Sequence, residues 1–136
     1  MPPAPNLPCA CHSGIKYKRC CRMAHRGMRV ETPEALMRSR YSAFALGLAS
    51  YVMDSTHPEG ASHEGDSSAW ERSILEFSRE TAFTGLEILD ASEEGEEASV
   101  SFRATLRQGA KDVSFTERSR FLRHEGRWLY HSGVLS

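Results

Sequence analysis

Four cysteines fall within thirteen positions, CACHSGIKYKRCC at residues 9–21, and the chain has no other. A bridge between the adjacent Cys20 and Cys21 would be strained, and Cys9 and Cys11, one residue apart, are badly placed to bridge each other. A redox dithiol separates its cysteines by two residues at a helix start, a pattern this segment lacks. Metal binding suits the spacing better. Two close pairs joined by a short loop can supply four thiolates to one tetrahedral zinc ion, and a site closed by four sulfurs is structural, with no position left for a reacting water. The expected ligands are Cys9, Cys11, Cys20 and Cys21, with one zinc per chain. Four thiolates around a divalent ion leave a net negative charge, which the neighbouring Lys16, Lys18, Arg19 and Arg22 offset.

The charge distribution gives that basic loop a second explanation. Residues 1–30 hold Lys16, Lys18, Arg19, Arg22, Arg26 and Arg29 and no acid, so all 18 acidic side chains lie further on. Such asymmetry marks a segment suited to an anionic partner. No apolar run is long enough to span a membrane, and the first residues lack the charged start and apolar stretch of a secretory signal. The expected location is the cytoplasm, where thiols stay reduced.

The elements that position these groups can be read along the chain. Residues 1–8, MPPAPNLP, read as an extended arm, and residues 9–30 form the Cys-rich module. Residues 31–136 read as an α+β domain, about three helices followed by a four-stranded antiparallel meander. The first helix has Thr32 as N-cap, Pro33 at its first position and Glu34 against the helix dipole. Met37, Tyr41, Phe44 and Leu48 form its apolar face, and Gly47 ends or bends it. A short helix near 48–56 and another near 68–79, capped by Asp66 or Ser67, follow. The pattern then alternates with period two: strands at 81–90, 98–107, 113–123 and 127–135, with turns at 93–97, QGAKD and HEG. Val100, Phe102, Ala104 and Leu106 share one face of the second strand.

The cysteine segment, with Ser13-Gly14, Lys16, Tyr17 and Lys18 in register, resembles the SEC-C motif, the zinc-binding element at the carboxyl end of the SecA translocation ATPase. That motif usually has Gly after its second Cys, where this chain has His12. His12 is expected either to adopt the backbone glycine allows or to compete as a metal ligand, while His25 is expected at the surface. With ALMRSRYSAFALG (35–47) and ERSRFLRHEGRWLYHSG (117–133), the chain is similar to the YchJ-like family, in which a SEC-C motif precedes a domain like nuclear transport factor 2. That resemblance implies a cone of helices packed into a curved sheet around a pocket.

Pocket candidates are Arg38, Arg40, Tyr41, Glu117, Arg120, Trp128 and His131. Glu117, Ser119 and Phe121 should share one strand face and Arg118 and Arg120 the other. One helix arginine is expected to pair with Glu117; an anion-binding pocket is the sharper alternative. Trp128 and Tyr130 read as core. The function expected is a non-enzymatic adaptor whose zinc module docks an acidic partner. The SEC-C resemblance implies the export chaperone SecB, or the ribosome, with Lys16, Tyr17, Lys18, Arg19 and Arg22 as the contact set and Tyr17 as its anchor. The alternatives are a small-ligand or enzymatic use of the cavity, and nucleic-acid binding through the basic module, which the acidic main domain disfavours. The oligomeric state is open.

Overall fold

The computed structural model describes residues 4–136. Helices α1 (Cys21–His25), α2 (Pro33–Leu46), α3 (Ala49–Asp54) and α4 (Ser67–Glu80) precede strands β1 (Ala82–Glu94), β2 (Glu97–Gln108), β3 (Lys111–Asp112), β4 (Phe115–His124) and β5 (Arg127–Leu135). The sheet is antiparallel in the order β1-β2-β4-β5, with the two-residue β3 pairing the end of β2. This is the expected meander with one small strand added.

Local signals set the helix boundaries. Thr32 accepts from the Ala35 N–H at 3.1 Å, Gly47 closes α2 at φ 74, and Asp66 caps α4 by accepting from Ala69 N. Left-handed backbone at Gly47 is where a side chain would be strained. The turn between β4 and β5 places Glu125 and Gly126 at φ 52 and 83, the paired positive angles of a tight hairpin matched to strand twist. The first hairpin is longer than its charge pattern suggests: Glu93 and Glu94 pair with Ala98 and Glu97, so only Gly95 and Glu96 turn.

The core lies between α2 and the sheet. Leu36, Met37 and Tyr41 meet Val100, Phe102, Ala104, Leu106, Phe121 and Trp128. Burying side chains of this size is worth roughly 1.5–3 kcal/mol each. A second cluster of Ala43, Ala49, Val52, Trp70 and Ile74 joins the helices, with Phe44 and Leu48 packed on it.

The expected arm does not stay extended. Residues 1–3 lie outside the described residues. From Ala4 the chain turns back, Leu7 donating to Ala4 O, and the Tyr17 and Lys18 amides donate to Leu7 O and Pro5 O.

Candidate metal centre and cavity

The cysteine segment folds as a loop returning on itself. Pro8 bridges Lys16, and Cys9 N–H donates to Ile15 O at 2.8 Å. The loop turns through left-handed backbone at His12 (φ 62) and Gly14 (φ 83). A helical turn at Tyr17–Arg19 and then α1 present the second pair. All four sulfurs lie within 4.8 Å of one another, with Cys11 3.6 Å from Cys20 and Cys20 3.9 Å from Cys21. Ser13 Oγ sits 3.2 Å from Cys20 Sγ. Sulfurs this close resist joint ionisation. A hydrogen bond from Cys21 pushes the Cys11 thiol down, while the bond to Cys11 pushes Cys9 up to about 11 and Cys21 up as well. A cation removes that conflict, so the donor set fits a metal ion.

His12 takes the backbone that glycine would take and does not join the sulfurs. Its Nε2 lies 3.1 Å from Phe83 O and its ring meets Tyr41 edge-on. Left-handed backbone costs a residue with a Cβ about 1–2 kcal/mol. We expect His12→Ala to lower stability by about 1 kcal/mol, since it keeps the strain and loses the Phe83 contact. His12→Gly should stay within about 0.5 kcal/mol of the parent, the two effects offsetting. Denaturant midpoints of the metal-loaded proteins check the order.

Two other module expectations are corrected. Tyr17 is buried, 6% exposed, because the cysteine cluster has so little apolar surface that its one aromatic ring is taken as core; it is not an external anchor. His25 is not a surface residue. Its Nδ1 accepts from Tyr17 Oη at 2.7 Å and its Nε2 donates to Ser39 O at 2.8 Å, tying the module to α2. Of the remaining contact candidates, Lys16 and Arg19 are exposed and Lys18 and Arg22 half-buried.

Between α2, α4 and the sheet lies a cavity of about 240 Å³. Arg40, Tyr41 and Glu117 line it; Arg38, Arg120, Trp128 and His131 do not. Arg38 turns the other way, to Glu34 (3.3 Å) and Cys11 O (3.3 Å). Arg120 sits on the opposite sheet face with Glu97. Trp128 is buried in the core under Arg123, whose guanidinium lies 4.3 Å from the ring centroid. His131 is the extra residue of a bulge, since Arg120 pairs with Ser132 and Phe121 with Tyr130. That bulge turns Gly133, opposite Ser119, toward the inner face, where any side chain would collide with the Glu117 carboxylate.

Arg40 does reach inward, but it does not pair with Glu117. Its Nη1 donates to Val52 O (3.0 Å), Ser55 Oγ (2.8 Å) and Thr56 Oγ1 (3.0 Å), and its guanidinium lies 4.5 Å from the Tyr130 ring centroid. Glu117 Oε2 instead accepts from Ser119 Oγ (2.6 Å) and Tyr130 Oη (3.2 Å). Tyr130 thus stands between the two charges. Burial pulls the Arg40 guanidinium down to about 10, which leaves it charged at neutral pH. Burial, with Glu117 nearby, pushes Tyr130 up to about 12. Thr56 and Ser62, missed from sequence, also line the cavity; they come from the loop after α3, which hydrogen-bonds to β5 through His57 N and Ala61 N.

That loop carries a titratable group. The His57 ring lies 5.0 Å from that of His124 and 5.3 Å from that of His131, and its Nδ1 accepts from Glu59 N. Burial and the two imidazoles push His57 down. The unfolded chain takes up this proton near pH 6.5 and the folded chain only lower. Stability from His57 is therefore complete above about 6.5 and lost as pH falls through the folded value. An NMR titration should show a His57 midpoint below that of an ordinary imidazole.

Comparison with known proteins places these two parts. The SEC-C motif matches residues 6–22, and the YchJ middle NTF2-like domain matches residues 32–133. The molecule is therefore of the class that joins a SEC-C motif to an NTF2-like domain. A UPF0225 protein of Deinococcus radiodurans is 41% identical over 93% of this chain and 88% of its own. One from Streptomyces coelicolor is 39% identical over 95% of this chain and 96% of its own. The chain belongs to this YchJ-like UPF0225 family. The solution structure of a SEC-C motif containing protein from Rhodopseudomonas palustris, 34% identical, superposes with a TM-score of 0.81 over 96% of this chain and 99% of that one. A crystal structure of a SEC-C motif containing protein from Psychrobacter arcticus, 25% identical, gives 0.76 over 95% and 81%. No helix among the described residues is long and apolar enough to cross a membrane.

Proposed function

We propose that the cysteine cluster holds one structural zinc ion and that the module it orders docks an acidic protein in the cytoplasm, the export chaperone SecB or an acidic ribosomal surface. Sulfur separation supports a tetrahedral thiolate site: Zn–S bonds of about 2.3 Å in a tetrahedron put sulfurs about 3.8 Å apart, against 3.6 and 3.9 Å for two of the pairs here, with all four sulfurs within 4.8 Å. The cytoplasm suits four free thiols, which a reducing compartment preserves.

The observation that carries the docking reading is where apolar side chains stay exposed. Of the seven exposed large apolar side chains among the described residues, Ile15, Met23 and Met28, 49, 45 and 59% exposed, belong to the module and Leu7, 60% exposed, to the arm before it, while Leu89, Val134 and Leu135 lie on β1 and β5. Those of the module stand among exposed Lys16, Arg19, Arg26 and Arg29. Exposed apolar side chains interspersed with basic ones suit an acidic surface bearing its own apolar groups. Met23 and Met28 replace Tyr17 as the anchors.

Titration calorimetry of the zinc-loaded chain against purified SecB is the test. Arg19→Glu with Arg26→Glu should weaken binding by about tenfold or more and reduce its salt dependence. Equal binding by the Cys20→Ser, Cys21→Ser double variant, or iron in place of zinc by elemental analysis, would overturn the reading.

A further inference from the structure

We propose that the cavity between α2, α4 and the sheet binds an uncharged, largely apolar small molecule whose head group both accepts and donates hydrogen bonds, as a primary amide does. The walls are apolar: Met37, Phe44, Phe77, Phe83, Phe102 and Phe115 line about 240 Å³. The polar groups gather where Arg40, Glu117, Ser119 and Tyr130 meet.

A pair of opposite charges that served only as a structural tie would bond to each other, as Arg38 with Glu34 and Arg120 with Glu97 do. Arg40 and Glu117 do not. Arg40 is 8% exposed, and its three hydrogen bonds all leave from Nη1. Among the described residues Nε and Nη2 have no partner, yet the one buried side-chain nitrogen or oxygen left unsatisfied is Trp128 Nε1. The free Arg40 nitrogens therefore keep access to open volume. Glu117 is arranged likewise: both its donors bond Oε2, leaving Oε1 free.

The cavity thus offers unspent donors on a cation and an unspent acceptor on an anion, with no net charge between them. A carboxylate ligand would satisfy Arg40 but oppose Glu117, and an ammonium would do the reverse. A neutral head that accepts from Arg40 and donates to Glu117 satisfies both, and an isolated buried charge is avoided. Exposed Ser62 lines the same cavity, giving a way in past the loop after α3. This site is separate from the docking surface and stands or falls independently of it.

The test uses three probes on one skeleton, hydrocinnamide, hydrocinnamate and phenylpropylamine, each titrated into the metal-loaded chain and followed by NMR. Hydrocinnamide should bind at least about tenfold tighter than either charged probe, the scale of one opposed charged hydrogen bond, and should shift Tyr130 and Phe102. Glu117→Gln, which keeps an acceptor but removes the charge, should switch the preference to hydrocinnamate. Equal binding of all three probes, binding without shifts at Tyr130 and Phe102, or no binding at all would overturn the proposal. So would an unchanged order in folded Glu117→Gln. Should that variant fail to fold, the ranking on the parent chain decides alone.

Discussion

Chelating the metal, or replacing Cys20 and Cys21 together by serine, should unfold residues 9–26 while the sheet remains folded. The module has almost nothing else to hold it. Its buried cluster is Cys9, Cys11, Tyr17 and Cys21, with Cys20 and Leu46 at the margin. Its helices are a three-residue turn and five-residue α1, far below the length at which a helix persists alone. In such a segment metal affinity is folding energy, about 10–16 kcal/mol for zinc in small modules. Without the ion the sulfurs must separate or reprotonate. The bonds from Arg38 to Cys11 O and from His25 to Ser39 O then tether a disordered segment. Amide exchange gives the readout. Protection should vanish from Cys9 to Arg26 and persist at Val100, Phe102 and Leu106. Unchanged protection of the module after chelation, with metal loss verified by elemental analysis, would contradict this account.

The features that sequence revealed are those decided by neighbours in the chain. The α2 boundaries followed from Thr32, Pro33 and Gly47, each acting through its own backbone. The alternation of Val100, Phe102, Ala104 and Leu106 fixed which face of β2 is buried, and the cysteine spacing fixed a metal-ready cluster. The features it concealed depend on two elements at once. The bulge at His131 exists only in the pairing of β4 with β5, so nothing in RWLYHSGVL announces that Gly133 will turn inward under Glu117. Arg38 and Arg40 are separated by two helical positions and face opposite partners, the metal loop and the cavity, and the sequence does not say which partner lies on which side. Tyr17 looked like a surface anchor between two lysines. A module whose interior is mostly sulfur has room for one ring, and it takes that one. The basic loop, by contrast, keeps both of its explanations: charge to offset the thiolates, and a surface suited to an anionic partner.

Arg40→Met should be strongly destabilising, costing about 3 kcal/mol, or a fall of about 10 °C in Tm. The guanidinium is the common partner of three acceptors at the end of α3. Val52 O keeps a bond from Thr56 Oγ1 at 2.7 Å, but Ser55 and Thr56 lose their charged donor, at about 1–3 kcal/mol for each buried group left poorly satisfied. The stacking on Tyr130 goes as well, worth about 1–2 kcal/mol when desolvated. Arg40→Lys should recover part of the loss, because one ammonium can reach some of these oxygens but has no planar face for the ring. Glu117→Gln separates this arrangement from a simple ion pair. Were Arg40 and Glu117 partners, removing the Glu117 charge would strand the guanidinium and cost nearly as much as removing Arg40. With three neutral acceptors on Nη1 and Tyr130 between the charges, Glu117→Gln should cost about 1 kcal/mol. Urea unfolding of the three variants, all metal-loaded, gives the comparison. Losses at Arg40 and Glu117 that match within error would restore the ion pair and close the cavity's polar end to a ligand.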